Sequence, residues 1–231
     1  MRILAIESSG QHGSVAILSG DADSLRTISQ SRLTRERRTA QSLAPALEAL
    51  LIDAGWPPDS IKLVAVAVGP GSFTGLRIGV TTAKTFAYAV GAEIVGVNTL
   101  EVLANQVQPS TERLWTIIDA QRGELFASCF HASKGCGAET SIITQDAWLA
   151  ALRPGDGVTG PAVRRILLRL PKDVTVVPEP RWQSTAETVG QVAWRAYRNG
   201  HRDDVWRLVP HYYRQSAAEE KAARHDGARP I

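Results

Sequence analysis

The run Gly69-Pro70-Gly71-Ser72-Phe73-Thr74-Gly75-Leu76-Arg77 has the residue types and spacing that come nearest to chemistry in this chain. It stands between an apolar run at 62–68 (KLVAVAV) and a helical pattern that ends at Gly91. A buried strand, a glycine-rich turn and a helix start gather backbone N–H groups that point outward together, which is how proteins hold phosphate. The same arrangement lets one backbone pack closely on another. Two phosphate fingerprints fail here. For GxGxxG, Gly69 and Gly71 fit, but Thr74 takes the third glycine position. For GxxxxGK[ST], Pro70 stands where the first glycine belongs and Leu76 replaces the lysine that reaches a β/γ-phosphate.

Other chemistry-bearing residues are scattered. Glu7 and Asp119 each close an apolar run and precede a polar, glycine-containing turn. In a two-lobed nucleotide clamp an acid at such a place holds a metal-bound water near phosphate; alone, it is a turn former. His12, His131, His201, His211 and His225 never fall at HxxxH or HExxH spacing, so no local metal motif is present. No GxSxG occurs, and Ser72 has no base partner at the level of sequence. Cys129 and Cys136 are too few for a disulfide framework and do not form CxxC; they read as a packed strand thiol and a loop thiol.

The elements that must position these residues follow from periodicity. Residues 3–7 and 14–18 predict a hairpin around the turn SSGQHG. Leu43, Leu47, Leu50, Leu51 and Ala54 recur at helical spacing over 40–54, with Thr39 as cap and Gly55 as stop. Residues 62–68 predict a strand buried on both faces of a parallel sheet. A helix from Gly75 follows, then a strand at 93–97 and a short helix capped by Asn98 or Thr99. The helix from Gly75 carries a small residue every fourth position: Gly75, Gly79, Ala83, Ala87 and Gly91. Glycine inside a helix costs about 1 kcal/mol relative to alanine, so a close approach on that face is expected, by the protein's own sheet or by a partner helix. The other flank, Arg77, Thr81, Lys84 and Tyr88, suits a surface.

Periodicity stops near 109–112, the expected lobe boundary, and then restarts as it began. WTIID-AQRG-ELFASCF repeats the strand, acid, turn, strand pattern of ILAIE-SSGQHG-SVAIL. Thr144 opens a short helix, 157–160 is extended, Pro161 at N1 starts a helix (PAVRRILLRL), and 174–177 is a strand. Ser184 with Glu187 reads as a capping box for a helix ending near Asn199. Strands alternating with helices in two similar halves predict an α/β protein with lobes at 1–108 and 109–214 and a mobile tail at 215–231.

At 231 residues, 44% hydrophobic and 21% charged, the composition is that of a globular protein, and no apolar stretch is long enough to span a membrane. The opening MRILAIESSG reads as a first strand and not a leader, so the expected location is cytoplasmic. The isoelectric point near 9.1 accompanies a net charge of only +3, and the densest basic cluster, Arg35-Glu36-Arg37-Arg38, reads as a solvated loop.

Read with its flanks, the glycine loop resembles the TsaB (YeaZ) family of the machinery that makes N6-threonylcarbamoyladenosine in tRNA. The segments that carry the resemblance are ILAIESS, the stretch at 69–104, IDAQRGELF and PHYYRQ at 210–215. The resemblance implies a duplicated, two-lobed actin-like fold related to ribonuclease H. It implies a non-catalytic dimerisation subunit that binds and supports the catalytic subunit TsaD, a relative with metal-binding histidines, with the ATPase TsaE completing the assembly. Contact with tRNA would be indirect, no membrane would be involved, and a homodimer could use the same helices. The helix pair at 40–54 and 75–90 would form the interface, through Leu43, Leu47, Leu50, Gly75, Arg77, Gly79, Ala83 and Ala87. Glu7, Ser8, Asp119 and Gly71 would mark a vestigial nucleotide site, with no cofactor required by this subunit and ATP or ADP a candidate in the complex. Thr39, where many relatives have histidine, and Glu7, where aspartate is common, depart from the pattern and weaken a catalytic role. An active actin-fold ATPase or glycoprotease-like metallopeptidase is the alternative, and an arginine-based RNA-binding module a third reading.

Overall fold

The computed structural model describes residues 1–21, 24–33, 39–107, 111–133 and 139–214, with only the backbone of Thr39. The basic cluster at 35–38, Cys136, the cap expected from the Thr39 side chain and the tail at 215–231 lie outside the described residues.

Strands β1 (Arg2–Glu7), β2 (Ser14–Gly20), β3 (Leu25–Arg32), β4 (Ile61–Gly69) and β5 (Glu93–Asn98) form one sheet in the order β3-β2-β1-β4-β5. β2 runs antiparallel to β1 and β3, whereas β1, β4 and β5 are parallel. A second sheet holds β6 (Arg113–Gln121), β7 (Glu124–His131), β8 (Ser141–Thr144), β9 (Gly157–Thr159) and β10 (Thr175–Val176). Its order, β8-β7-β6-β9-β10, with the same pattern of antiparallel and parallel neighbours, repeats that of the first. The repeated hairpin pattern in the sequence is thus a repeated five-stranded topology.

Alternation along β1 explains the layering. Leu4 and Ile6 face α1 (Thr39–Asp53) and α2 (Phe73–Val90), together with Val64, Val66 and Leu47. Ile3 and Ala5 face the opposite side, where Val189, Val192 and Trp194 of α6 (Ala186–Arg198) cover them. Each fully buried aliphatic side chain contributes about 1.5–3 kcal/mol, and β4, buried on both faces after Lys62, sits at the centre of both cores. The second sheet packs Ile117, Leu125 and Val158 against Trp148 of α4 (Gln145–Ala151) and Val163 of α5 (Val163–Ile166). Between the sheets, Leu100 and Leu103 of α3 (Thr99–Asn105) meet Ala120 and Phe126.

Several expectations are corrected. β3 and β8 were not anticipated: β3 is a half-exposed edge strand rich in polar residues, and β8 has four residues. α6 returns to the first sheet, and Leu208 enters that sheet's core. The Ser184/Glu187 capping box does not form. Thr185 caps α6 by accepting from Thr188 N, while Glu187 accepts from the Thr27 hydroxyl at 2.8 Å, tying α6 to β3. The helix expected from Pro161 is reduced to α5 and a 3-10 turn at Leu167–Arg169, since Leu167 and Leu168 face solvent and offer no apolar stripe to bury. Cys129 is buried, as a packed strand thiol.

Candidate functional site

The glycine loop and the turn after β1 are packed backbone to backbone. α2 begins at Phe73, two residues before the expected start, and Ser72 caps it by accepting from Gly75 N at 3.2 Å. Ser72 N donates to Ser9 O at 2.7 Å, and Leu76 N donates to Ser72 O at 2.8 Å. A Cβ on Gly71 would lie 2.5 Å from Ser9 O, and one on Gly75 would lie 2.0 Å from Ser8 O. A Cβ on Gly79 would meet the Ser8 hydroxyl at 2.0 Å. The N–H groups of Ser72, Gly75 and Leu76 are therefore satisfied within the protein itself. Gly91, the last member of the stripe, has another role: it ends α2 in the left-handed region at φ +66°.

Glu7 sits behind this contact. Its side chain is fully buried, and Oε1 accepts from Ser9 N at 2.9 Å and from the Ser9 hydroxyl. Oε2 and the Ser8 hydroxyl have no hydrogen-bond partner. Burial pushes the Glu7 carboxyl above its ordinary value, with the Ser9 hydrogen bonds pulling the other way. Asp119, its counterpart in the second half, is instead near the surface. It accepts from Gln121 N at 3.0 Å and pairs with Arg165 at 2.5 Å. The two acids share a topological place and differ in chemistry: one is a buried carboxyl, the other a turn former paired with a guanidinium.

A cleft of about 830 Å³ separates the β1–β2 turn from the β6–β7 turn, and Asp119 lines it while Glu7 does not. The segment 210–214 crosses its mouth. His211 N donates to Val68 O at 2.7 Å, and Tyr212 stacks on Phe73 at 4.6 Å and accepts from Arg77 Nε at 2.9 Å. On the other side Tyr213 accepts from Asn98 Nδ2 at 3.0 Å, and Arg214 donates to Ala120 O at 2.5 Å and pairs with Glu124. The PHYYR sequence is thus a strap between the two halves. No group of three or more His, Cys, Asp or Glu side chains able to hold a metal occurs among the described residues.

Of the expected interface residues, Leu47 lines a groove between α1 and α2. Leu43, Leu47 and Leu50 are buried in the core beneath α1, and Gly75, Gly79, Ala83 and Ala87 are buried under α2. Only Arg77 of that set is exposed. The stripe of small residues therefore serves the protein's own packing. The face left open lies one step around each helix: a groove of about 910 Å³ between α1 and α2, with Ala44, Ile52, Thr85, Phe86 and Ala89 among its walls. Ile52 there is 69% exposed. Apart from Leu47 and Leu51, the groove residues fall off the inward stripes, and Thr81, Thr85 and Ala89 form a second row at the same four-residue spacing.

This is a two-lobed, duplicated actin-like fold whose glycine loop packs closely on the turn after β1 and whose helix pair presents a mainly apolar groove. The family model described as tRNA N6-adenosine threonylcarbamoyltransferase (TsaD) matches residues 28–151. The tRNA threonylcarbamoyladenosine biosynthesis protein TsaB of Bacillus subtilis is 30% identical over 237 residues, covering 96% of this chain and 97% of that protein. The Escherichia coli protein of the same name is 31% identical over 128 residues, 54% of this chain and 53% of its own length. YeaZ from Pseudomonas aeruginosa superposes with a TM-score of 0.75 at 23% identity, covering 91% of this chain and 99% of that one. The chain belongs to the TsaB family, whose named members act in tRNA threonylcarbamoyladenosine biosynthesis. No helix among the described residues is long and apolar enough to cross a membrane.

Proposed function

We propose that this chain is the supporting, non-catalytic subunit of a tRNA N6-adenosine threonylcarbamoyltransferase assembly, binding the TsaD-type subunit through the α1/α2 groove. The observation that carries this reading is the groove itself. Its walls are mainly apolar, with Glu48 and three threonines among them, and it lies between two helices whose inward faces are already satisfied by the core. Open apolar surface of this kind on a folded protein marks an interaction site. A pair of helices from a related fold is the partner that matches its shape, through ridges set into grooves. The TsaE ATPase joins the assembly, and tRNA places the work in the cytoplasm.

The test is co-purification of the chain with its cognate TsaD-type subunit, scored also for threonylcarbamoyladenosine in tRNA. Ala89→Arg and Ile52→Asp are expected to abolish association and modification while leaving the unfolding midpoint within a few degrees of wild type. Association that survives both substitutions overturns the interface. A homodimer of the free chain that the same substitutions dissociate would place a second copy in the groove. ATP-dependent or metal-dependent turnover by the purified chain, lost in Asp119→Ala, would replace this reading with the enzymatic one.

A further inference from the structure

On the flank of α2 away from the groove, the chain presents aromatic rings interleaved with cations. Trp206 is 69% exposed and Tyr88 is 65% exposed. The other five of the six tryptophans are buried or half-buried. The Tyr88 and Trp206 rings meet edge to face with centroids 4.9 Å apart. About 22 Å further toward the start of α2, taking the rise per residue of a helix, Tyr212 and Phe73 form a second aromatic pair with the Arg77 guanidinium 3.9 Å over Phe73.

The platform is held rigidly. Lys84 Nζ, between the two pairs, donates to the carbonyls of Trp206 at 3.1 Å and Leu208 at 2.9 Å. Trp206 N donates to Asp204 Oδ1 at 2.7 Å. Neither Arg77 nor Lys84 pairs with a carboxylate among the described residues; their partners are a hydroxyl, carbonyls and rings, which leave the positive charge unneutralised. Arg207 adjoins Trp206 and reaches Asp204 only at 3.8 Å.

We propose that this face binds a single-stranded stretch of RNA, bases stacking on Trp206 and Tyr212 and phosphates lying along Arg77, Lys84 and Arg207. Exposed rings alternating with cations, of which Arg77 and Lys84 face no carboxylate among the described residues, are how single strands are held without sequence readout. Interfaces between proteins deplete lysine at their centre, whereas here Lys84 is central. The apolar α1/α2 groove has the opposite character. This inference rests on the reading that the chain works on tRNA, but not on the identity of the groove's occupant.

The experiment is a titration of the full chain, alone and together with the TsaD-type subunit, with unmodified tRNA and with a fully paired RNA duplex. Tryptophan fluorescence and filter binding are read at two salt concentrations. Binding of tRNA is expected to quench the emission of Trp206 and to exceed duplex binding. Trp206→Leu should weaken tRNA binding about tenfold and remove the quench, while Trp206→Phe removes the quench and keeps most of the affinity. Arg207→Gln should lower the salt dependence by about one ion. Affinity unchanged in Trp206→Leu, both alone and in the complex, overturns the proposal. So does loss of association with the TsaD-type subunit in that variant, which would make the face a protein interface. A chain that binds tRNA through these residues but never associates with the TsaD-type subunit sinks the proposed function and leaves this inference standing.

Discussion

Alanine at Gly75 and at Gly79 should have unlike consequences, because the two glycines meet different atoms of one serine. In an open helix either change would stabilise by about 1 kcal/mol. At Gly75 the new methyl lies 2.0 Å from the Ser8 backbone oxygen, which the end of β1 fixes in place. Relieving that overlap requires moving α2 off the sheet, at about 3 kcal/mol, the upper end of ordinary overpacking. The net loss of about 2 kcal/mol corresponds to a midpoint lowered by about 4–8 °C in a chain of this size. At Gly79 the methyl lies 2.0 Å from the Ser8 hydroxyl and 3.1 Å from its Cβ. That hydroxyl has no hydrogen-bond partner, so Ser8→Ala alone should be neutral or stabilising by up to about 1 kcal/mol. Ser8→Ala should also rescue Gly79→Ala, with a coupling of about 1–2 kcal/mol, and should leave Gly75→Ala unrescued. The assay is urea unfolding of wild type, the three single variants and the two double variants by circular dichroism. A stabilised Gly75→Ala, or equal rescue of both glycine variants, would refute the claim that internal packing dictates the small-residue stripe.

The remaining predictions concern charge, the strap and the second core. For Glu7, burial holds the folded-state pKa above the ordinary 4.5. Its stability contribution is therefore fully present below that value and is lost as pH rises through the folded pKa. Glu7→Gln escapes this loss, so its advantage over wild type should be absent in acid and grow toward neutral pH; a pH-independent difference would contradict the assignment. Arg214→Ala removes the bonds to Ala120 O and Glu124. It should cost about 1–2 kcal/mol and raise hydrogen exchange in the β6–β7 turn and at 210–213 before other regions. Trp148, fully buried beside Trp115, should cost about 3–5 kcal/mol as alanine, read as an early loss of near-ultraviolet dichroism.

Much of the architecture was legible because period and burial agree. The run at 62–68 reads as a doubly covered strand because it has no polar face, and the two hairpin starts betray the duplication through their matched acids and turns. What could not be read was which atoms fill the space beside a glycine. Gly75 and Gly79 announce a close approach, yet sequence spacing is silent on whether a partner helix or Ser8 supplies it. The return of α6 was likewise hidden, since an amphipathic helix carries no label for the sheet it will cover. Glu7 and Asp119 looked equivalent in pattern and diverged through neighbours distant in sequence: Gly75 and Gly79 of α2 press on the turn that buries one, and Arg165 draws the other outward.

The return of α6 has a consequence for synthesis. Ala186 N donates to the Ser14 hydroxyl across 172 residues of intervening chain. Until α6 emerges from the ribosome, the face of the first sheet bearing Ile3, Ala16, Leu18 and Val95 has no cover. At about 5–20 residues per second, the nascent chain carries that bare apolar sheet, complete once β5 is made, for roughly five to twenty seconds. The second half can complete its own core meanwhile, so the part made first is the part finished last. A premature stop between Trp182 and α6 would release a protein with one closed half and one open one, a substrate for chaperones and proteases and not a shortened subunit.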